Sequence, residues 1–247
     1  MFGFDNEIRA VIIGATGGLG KKFVEELCAS PSCSSVWIGV RNEKDVQHHS
    51  KLRSSIVDIT KEDTIRHWGE AIKEANFQPN FILNCCGLLH GENGVKPEKT
   101  WRHLNSEQMS EVFAVNAFGV ALLAKHIIPC IPRTDRSIFA SISARVGSIS
   151  DNYLGGWYSY RASKAAHNMM IKTLSIEAQR KRKELICVSL HPGTVDTRLS
   201  APFTKGYDSK KLFSPQQSCS YLSSVLADLH PKDSGGFFAW DGCPIPF

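Results

Sequence analysis

Tyr160 and Lys164 stand four residues apart within residues 157–168, WYSYRASKAAHN. On a helix that spacing puts both side chains on one face, with Cβ atoms about 5–6 Å apart. An ammonium so close favours the phenolate, so the tyrosine pKa is expected to fall. A tyrosine tuned toward neutrality can hand a proton to a carbonyl oxygen or take one from an alcohol. A pattern this short also occurs by chance on surface helices. The elements that would position the pair therefore decide its meaning.

The first of these is Ile8–Ile13, a short β-branched run ending in the glycine turn GATGGLG, residues 14–20. KKFVEELCAS follows with helical periodicity through Phe23, Val24 and Leu27. Strand, glycine turn and helix together are the setting of a dinucleotide loop. Gly14, Gly18 and Gly20 would let the backbone approach a pyrophosphate, and the helix N-terminus would attract its charge. The next strand, SVWIGV at 35–40, ends in Arg41 instead of an acid. An arginine there suits the 2′-phosphate of NADP(H). SSIVDI (54–59) and NFILNCCG (80–87) read as further strands, with a helix over 61–76 between them. Alternating units of this kind predict an α/β fold with a doubly wound, mostly parallel sheet. Ligands in such sheets bind beyond the strands' carboxyl ends. Gly14, Arg41, Asp58, Asn84 and Gly87 all fall there.

Residues 88–105 form a long polar connection that either lines a substrate or makes a surface excursion. Ser106 can cap the following helix, whose apolar span 112–128 is interrupted by Asn116 and Gly119. Asn116 must find partners there, as a structural bridge or as the holder of a catalytic water or lysine. SIFASI (137–142) is a fifth strand, with Ser143 just beyond its end. The long helix carrying Tyr160 should run to about residue 182. The strand 185–190 then ends in HPGTVDT, where Pro192 and Gly193 force a turn. Residues 198–213 read as a flap, Ser214 and Pro215 open a last helix to about residue 229, and 235–240 form a final strand.

The chain has 247 residues, is 42% hydrophobic and carries a net charge of +5. These values describe a soluble globular protein and give no reason to invoke nucleic acid. The basic run 180–183 is a solvated helix end. No apolar run is expected to span a membrane, and MFGFDNEIRA lacks the regions of a signal peptide, so a cytoplasmic protein is expected. The eight cysteines show no zinc-type spacing and no disulfide pattern; no metal is expected.

Taken in order, GATGGLG, VDIT (57–60), NCCG (84–87), VNAFG (115–119), SISARVG (141–147), YRASK (160–164) and HPGTVDT (191–197) resemble the short-chain dehydrogenase/reductase family over almost the whole chain. Residues 147–166 and WDGCPIPF are most similar to its C-factor-like and sniffer-type carbonyl reductase branch. The resemblance implies a single Rossmann-type domain over 1–247, with a seven-stranded sheet. It also implies hydride transfer between NADP(H), favoured over NADH, and a small carbonyl or alcohol. Tyr160 would be the general acid or base, Lys164 would depress its pKa and hold the nicotinamide ribose, and Ser143 would polarise the substrate oxygen. Asn116 would hold a relay water. Gly14, Thr16, Gly17, Gly18, Leu19 and Gly20 would surround the pyrophosphate. Asp58 and Ile59 would flank the adenine, beside Asn84, Cys85, Cys86 and Gly87. Pro192, Gly193, Thr194, Val195 and Thr197 would reach the carboxamide or phosphate. A homodimer or larger homo-oligomer is compatible with the family.

The chain departs from the family pattern in four ways. Ile13 replaces a threonine, and Cys85–Cys86 replace Asn–Ala. The family serine falls in register with Ala144, one place after Ser143, which leaves Ser141 and Ser148 as alternatives. Tyr158 is a second tyrosine, six residues from Lys164, and is read as structural. A cofactor-binding sensor on the same fold is the alternative function, because function lives in the site and not in the fold.

Overall fold

Alternation along β1 (Ile8–Ile13) sends Ala10 and Ile12 to one face and Val11 and Ile13 to the other, and both faces are buried. A strand apolar on both sides needs helices above and below it. The structure, a computed structural model, describes residues 2–46, 48–91, 94–206, 208 and 211–247. It adds β2 (Cys33–Val40), β3 (Leu52–Ile56), β4 (Phe81–Asn84), β5 (Ser137–Ile142) and β6 (Leu185–His191). The short β7 (Thr194–Val195) and β8 (Leu212–Phe213) and then β9 (Phe237–Ala239) follow. The seven-stranded sheet runs β3-β2-β1-β4-β5-β6-β9, with every neighbouring pair parallel. Strand order reverses between β1 and β4, which opens the ligand crevice of a doubly wound sheet there.

Helices α1 (Gly18–Ala29), α2 (Glu62–Glu74), α3 (Ser106–Phe113), α4 (Gly119–Ile127), α5 (Tyr158–Gln179) and α6 (Pro215–Asp228) cover the sheet. Phe23 and Leu27 of α1 pack with Leu222 and Leu226 of α6 on one face. Trp68 of α2, Leu123 of α4 and Ile171 of α5 pack on the other. Burying each such side chain contributes about 1.5–3 kcal/mol.

Three expectations are corrected. The third strand ends at Ile56, so Asp58 and Ile59 lie in the turn beyond it. Thr60 and Thr64 bond to Asp58 and fold that turn out of the sheet. The apolar helix runs through Asn116 as expected, but the expectation that no apolar run is long enough to span a membrane is corrected. One π turn, Ala114–Phe118, carries it through, so Ser106–Cys130 is long and apolar enough by length and composition to cross a membrane. In this fold its Val120, Leu123 and Ile127 belong to the core beneath the sheet. The flap ends in a strand, because Leu212–Phe213 pairs with Thr194–Val195. Tyr207, Ser209 and Lys210 of the flap, and Glu92 and Asn93 of the long connection, lie outside the described residues.

Candidate active site

Helix α5 begins without a capping side chain of its own. Its N-cap, Trp157, has φ 51° and ψ 44°, after Gly155 and Gly156 at φ 63° and 65°. A bulky residue in the left-handed region costs about 1–2 kcal/mol and persists only where its surroundings impose it. Glu98, 1% exposed, is the main constraint. Its backbone carbonyl accepts from Trp157 N at 2.6 Å, and its carboxylate accepts from Ser159 N at 3.1 Å, from the Ser159 hydroxyl and from Gln108 Nε2 at 2.9 Å. Burial pushes the Glu98 carboxyl up, but these hydrogen bonds outweigh it and leave its pKa lowered. A carboxylate at a helix N-terminus also complements the dipole. Glu98 thereby fixes the turn that presents Tyr160.

Tyr160 and Lys164 are both buried, with the ammonium 6.0 Å from the phenol ring centroid. Lys164 Nζ donates to the Ile142 carbonyl at 2.8 Å, which ties α5 to the end of β5. Burial pushes the Lys164 amine down to about 8, against the opposing pull of Cys86 and Cys85. The expected fall of the tyrosine pKa is corrected: burial pushes the Tyr160 phenol above its ordinary value. Spacing places the lysine charge near the ring, but the phenol is buried, and burial penalises the phenolate. A Cβ on Gly87 would lie 3.9 Å from both Lys164 Nζ and Asn116 Oδ1, so these groups converge on a bare backbone position.

Asn116 is a bridge. Its side chain accepts from Leu88 N at 2.8 Å and donates to Leu88 O at 2.8 Å and to Ser163 Oγ at 3.0 Å. The π turn frees carbonyls from the helical ladder. The Asn116 carbonyl is met at 2.9 Å by His167 Nδ1, which therefore donates. Burial first, and Lys164 second, push His167 down to about 3, so it is neutral.

Ser143 is buried, and its hydroxyl donates to Asn168 Oδ1 at 2.7 Å. Ser141 is also buried and accepts from Asn84 Nδ2 at 2.9 Å, while Ser148 accepts from Asp151 N at 3.2 Å. All three hydroxyls thus have protein partners. Asn84 Oδ1 in turn accepts from Cys86 N at 3.0 Å and shapes the turn after β4. Burial holds the Cys86 thiol at about 12 and Cys85 well above its ordinary value, so both are protonated packing groups.

The glycine loop fits a pyrophosphate. A Cβ on Gly20 would stand 2.2 Å from Gly14 O, and one on Gly14, at φ 77°, would stand 2.8 Å from the Cys85 carbonyl carbon. Gly17 caps α1 with no side-chain bond, and no acid occupies the first turn. That N-terminus is open to an anion. Thr16 is exposed on the loop and Leu19 packs beneath it. Thr197 closes the other side, with its Cγ2 2.6 Å from where a Gly18 Cβ would be. Thr194 and Val195 lie in β7, and Pro192 O accepts from Ser218 Oγ at 2.8 Å, which steadies the Gly193 turn. Arg41 is exposed beyond β2, near enough to lower the Asp58 pKa through its charge, and makes no salt bridge among the described residues. The Ile59 side chain packs against Gly119 of α4, leaving its backbone at the strand end.

Several contributors escaped the sequence reading: Glu98, His167 and Asn168. The absent Ser, Thr, Asn or Asp at position 157 was the one local sign that α5 takes its cap from elsewhere.

Known proteins resemble this chain over most of its length. An uncharacterized oxidoreductase of Schizosaccharomyces pombe is 27% identical over 256 residues, covering 96% of each chain. The C-signal protein of Myxococcus xanthus is 31% identical over 139 residues, 56% of this chain and 78% of that one. An NADPH-bound carbonyl reductase from chicken fatty liver superposes with TM-score 0.85 at 26% identity, covering 99% of this chain and 96% of the other. The carbonyl reductase Sniffer of D. melanogaster superposes with TM-score 0.84 at 24% identity, over 98% and 100% of the two chains, and shares the fold. The family model described as short chain dehydrogenase matches residues 9–208, and the chain accordingly belongs to that family of oxidoreductases.

Proposed function

We propose that the protein is an NADP(H)-preferring carbonyl reductase in which Tyr160 protonates the substrate oxygen. The observation that carries this reading is the buried Tyr160–Lys164 pair, held by Ile142 O at the end of β5. With its pyrophosphate bound at the glycine loop, the cofactor would supply the hydride from its nicotinamide. Tyr160 would donate its proton to the oxygen as the carbonyl is reduced. The Lys164 ammonium would then stabilise the phenolate left behind. Asn116, bonded to both Leu88 groups, would fix the floor of the site. Arg41 supports the preference for the 2′-phosphorylated cofactor, being an exposed cation, with no salt bridge among the described residues, at the strand end where that phosphate would sit. The relatives aligned over their full length are oxidoreductases, so the sensor reading gains no support from them.

The test is NADPH oxidation with ketones, aldehydes and quinones, native protein against Tyr160→Phe. Loss of the acid should lower turnover about 100-fold or more while NADPH still binds. Equal turnover by the two proteins would remove Tyr160 from the chemistry.

A further inference from the structure

We propose that the fold carries a second binding site, between α6 and the C-terminal turn, for a small organic ammonium ion.

A cavity of about 630 Å³ opens between α6, the 231–233 turn and residues 238–244. That volume falls in the range of small-molecule sites. Its floor is apolar, with Val225 and Leu229 only 7% and 4% exposed. No residue placed around the glycine loop or Tyr160 lines it. Its walls are fixed from both sides. Ala239 N donates to Cys243 O at 2.8 Å and Ile245 N to Phe237 O at 2.7 Å, so the terminal segment folds back on β9 as a closed turn. The Ser214–Gln217 capping box sets the start of α6. A site formed in advance loses little to ordering when a ligand arrives.

Two features of the lining select that ligand. The first is charge. Asp228, Asp233 and Asp241 line the cavity and no Lys or Arg does, in a chain whose net charge is +5. None of the three forms a salt bridge among the described residues. Asp233 accepts from His230 N at 2.8 Å and Asp241 from Cys243 N at 3.1 Å, which fixes the direction of those two carboxylates. The second is aromatic surface. The Tyr221 and Trp240 rings lie 5.1 Å apart at 44°, and both rest on Phe213, at 5.2 and 4.7 Å. Tyr221 is still 37% exposed and Trp240 only half-buried, so both keep open surface beside the cavity they line.

Carboxylates and ring faces together attract a cation. A metal ion is a poor match, because no group of three or more His, Cys, Asp and Glu among the described residues could hold one. Aromatic walls over an apolar floor suit a large, weakly hydrated cation instead. Its alkyl or aryl groups would cover Val225 and Leu229 while its charge meets the rings and the aspartates.

The test titrates the cofactor-free protein with choline and with 3,3-dimethylbutan-1-ol, its neutral isostere. Binding is read by NMR from the Trp240 indole N–H resonance, identified by its loss in Trp240→Phe. Choline should bind in the millimolar range or tighter, and the alcohol at least about fivefold more weakly. Asp228→Asn and Tyr221→Leu change exposed positions, and an unchanged thermal midpoint reports that each variant is folded. Each should raise the choline dissociation constant about two- to fivefold. Equal binding of choline and the alcohol would overturn the site, as would variants that bind choline like the native protein. So would the absence of any shift with either choline or benzyltrimethylammonium at about 20 mM. Neither Tyr160 nor the cofactor enters this chemistry, so every outcome leaves the reductase reading untouched.

Discussion

Lys164→Met should separate what the lysine does for chemistry from what it costs the fold. Burial lowers the Lys164 pKa from 10.5 to about 8. The unfolded chain therefore binds more protons than the folded chain between those values, and stability must rise with pH across that window. A shift of that size corresponds to about 3 kcal/mol of penalty near pH 7, falling to about 1 kcal/mol near pH 10. Methionine removes the penalty but orphans the Ile142 carbonyl, at a cost of about 1–3 kcal/mol. Near pH 7 the two effects offset, and the cofactor-free variant should be as stable as the native protein or slightly more so. Near pH 10 the variant should be the weaker by up to about 2 kcal/mol, the difference between the two proteins having moved by about 2 kcal/mol from its value near pH 7. Urea unfolding of both proteins at the two pH values measures the difference, in which titrations common to both cancel. A native-minus-variant difference that does not move with pH would refute the view that a charge is buried at this position. Reductase turnover of the variant should fall at either pH, because the phenolate loses its cation.

Arg41→Asp should move cofactor preference from NADPH toward NADH, read as the ratio of the two dissociation constants; equal affinities in the native protein would remove the basis for the expectation. Gly20→Ala drives a Cβ to 2.2 Å from Gly14 O, so the loop must shift. Overpacking of this kind costs about 1–3 kcal/mol, and NADPH affinity should drop at least tenfold by calorimetric titration. Glu98→Gln removes the charge that caps α5 and should destabilise the protein by about 1.5–3 kcal/mol. Because the Glu98 pKa is lowered from 4.5, that support is present above pH 4.5 and fades as pH falls through the folded value. Denaturation below and above that pH checks whether the native and variant proteins converge on acidification.

Much of the frame was legible because its determinants are local. The glycine loop, its strand and its helix lie within 22 residues of one another, from Ile8 to Ala29. Short apolar runs alternating with helical patterns made the sheet readable strand by strand, and those runs are buried on both faces. The Ser214–Gln217 capping box likewise fixes the start of α6 within a single turn. What could not be read are quantities that depend on chain distant in sequence. Glu98 reaches Ser159 across 61 positions, and nothing in its neighbours marks it as buried. The serines 141, 143 and 148 were distinguishable only by their partners, Asn84, Asn168 and Asp151. The third strand was read too far because Val57 and Ile59 are apolar and buried, yet they pack beyond the ladder in the core with Trp68.

The error over Tyr160 is the most instructive. Spacing gives the sign of the lysine's effect but not the burial against which it acts. In the folded protein burial works on both partners in opposite chemical senses. It raises the phenol, so Tyr160 keeps its proton, and it lowers the amine, so Lys164 holds its proton less firmly. Near neutral pH both protons are in place, which leaves a neutral acid beside a cation, ready to protonate an oxygen. Removing the phenol proton then creates an anion in a buried site, with the Lys164 ammonium 6.0 Å from the ring centroid. The attraction between them is strongest in that low-dielectric setting. The same burial that makes the phenolate costly before reaction makes the lysine most effective once the proton has left.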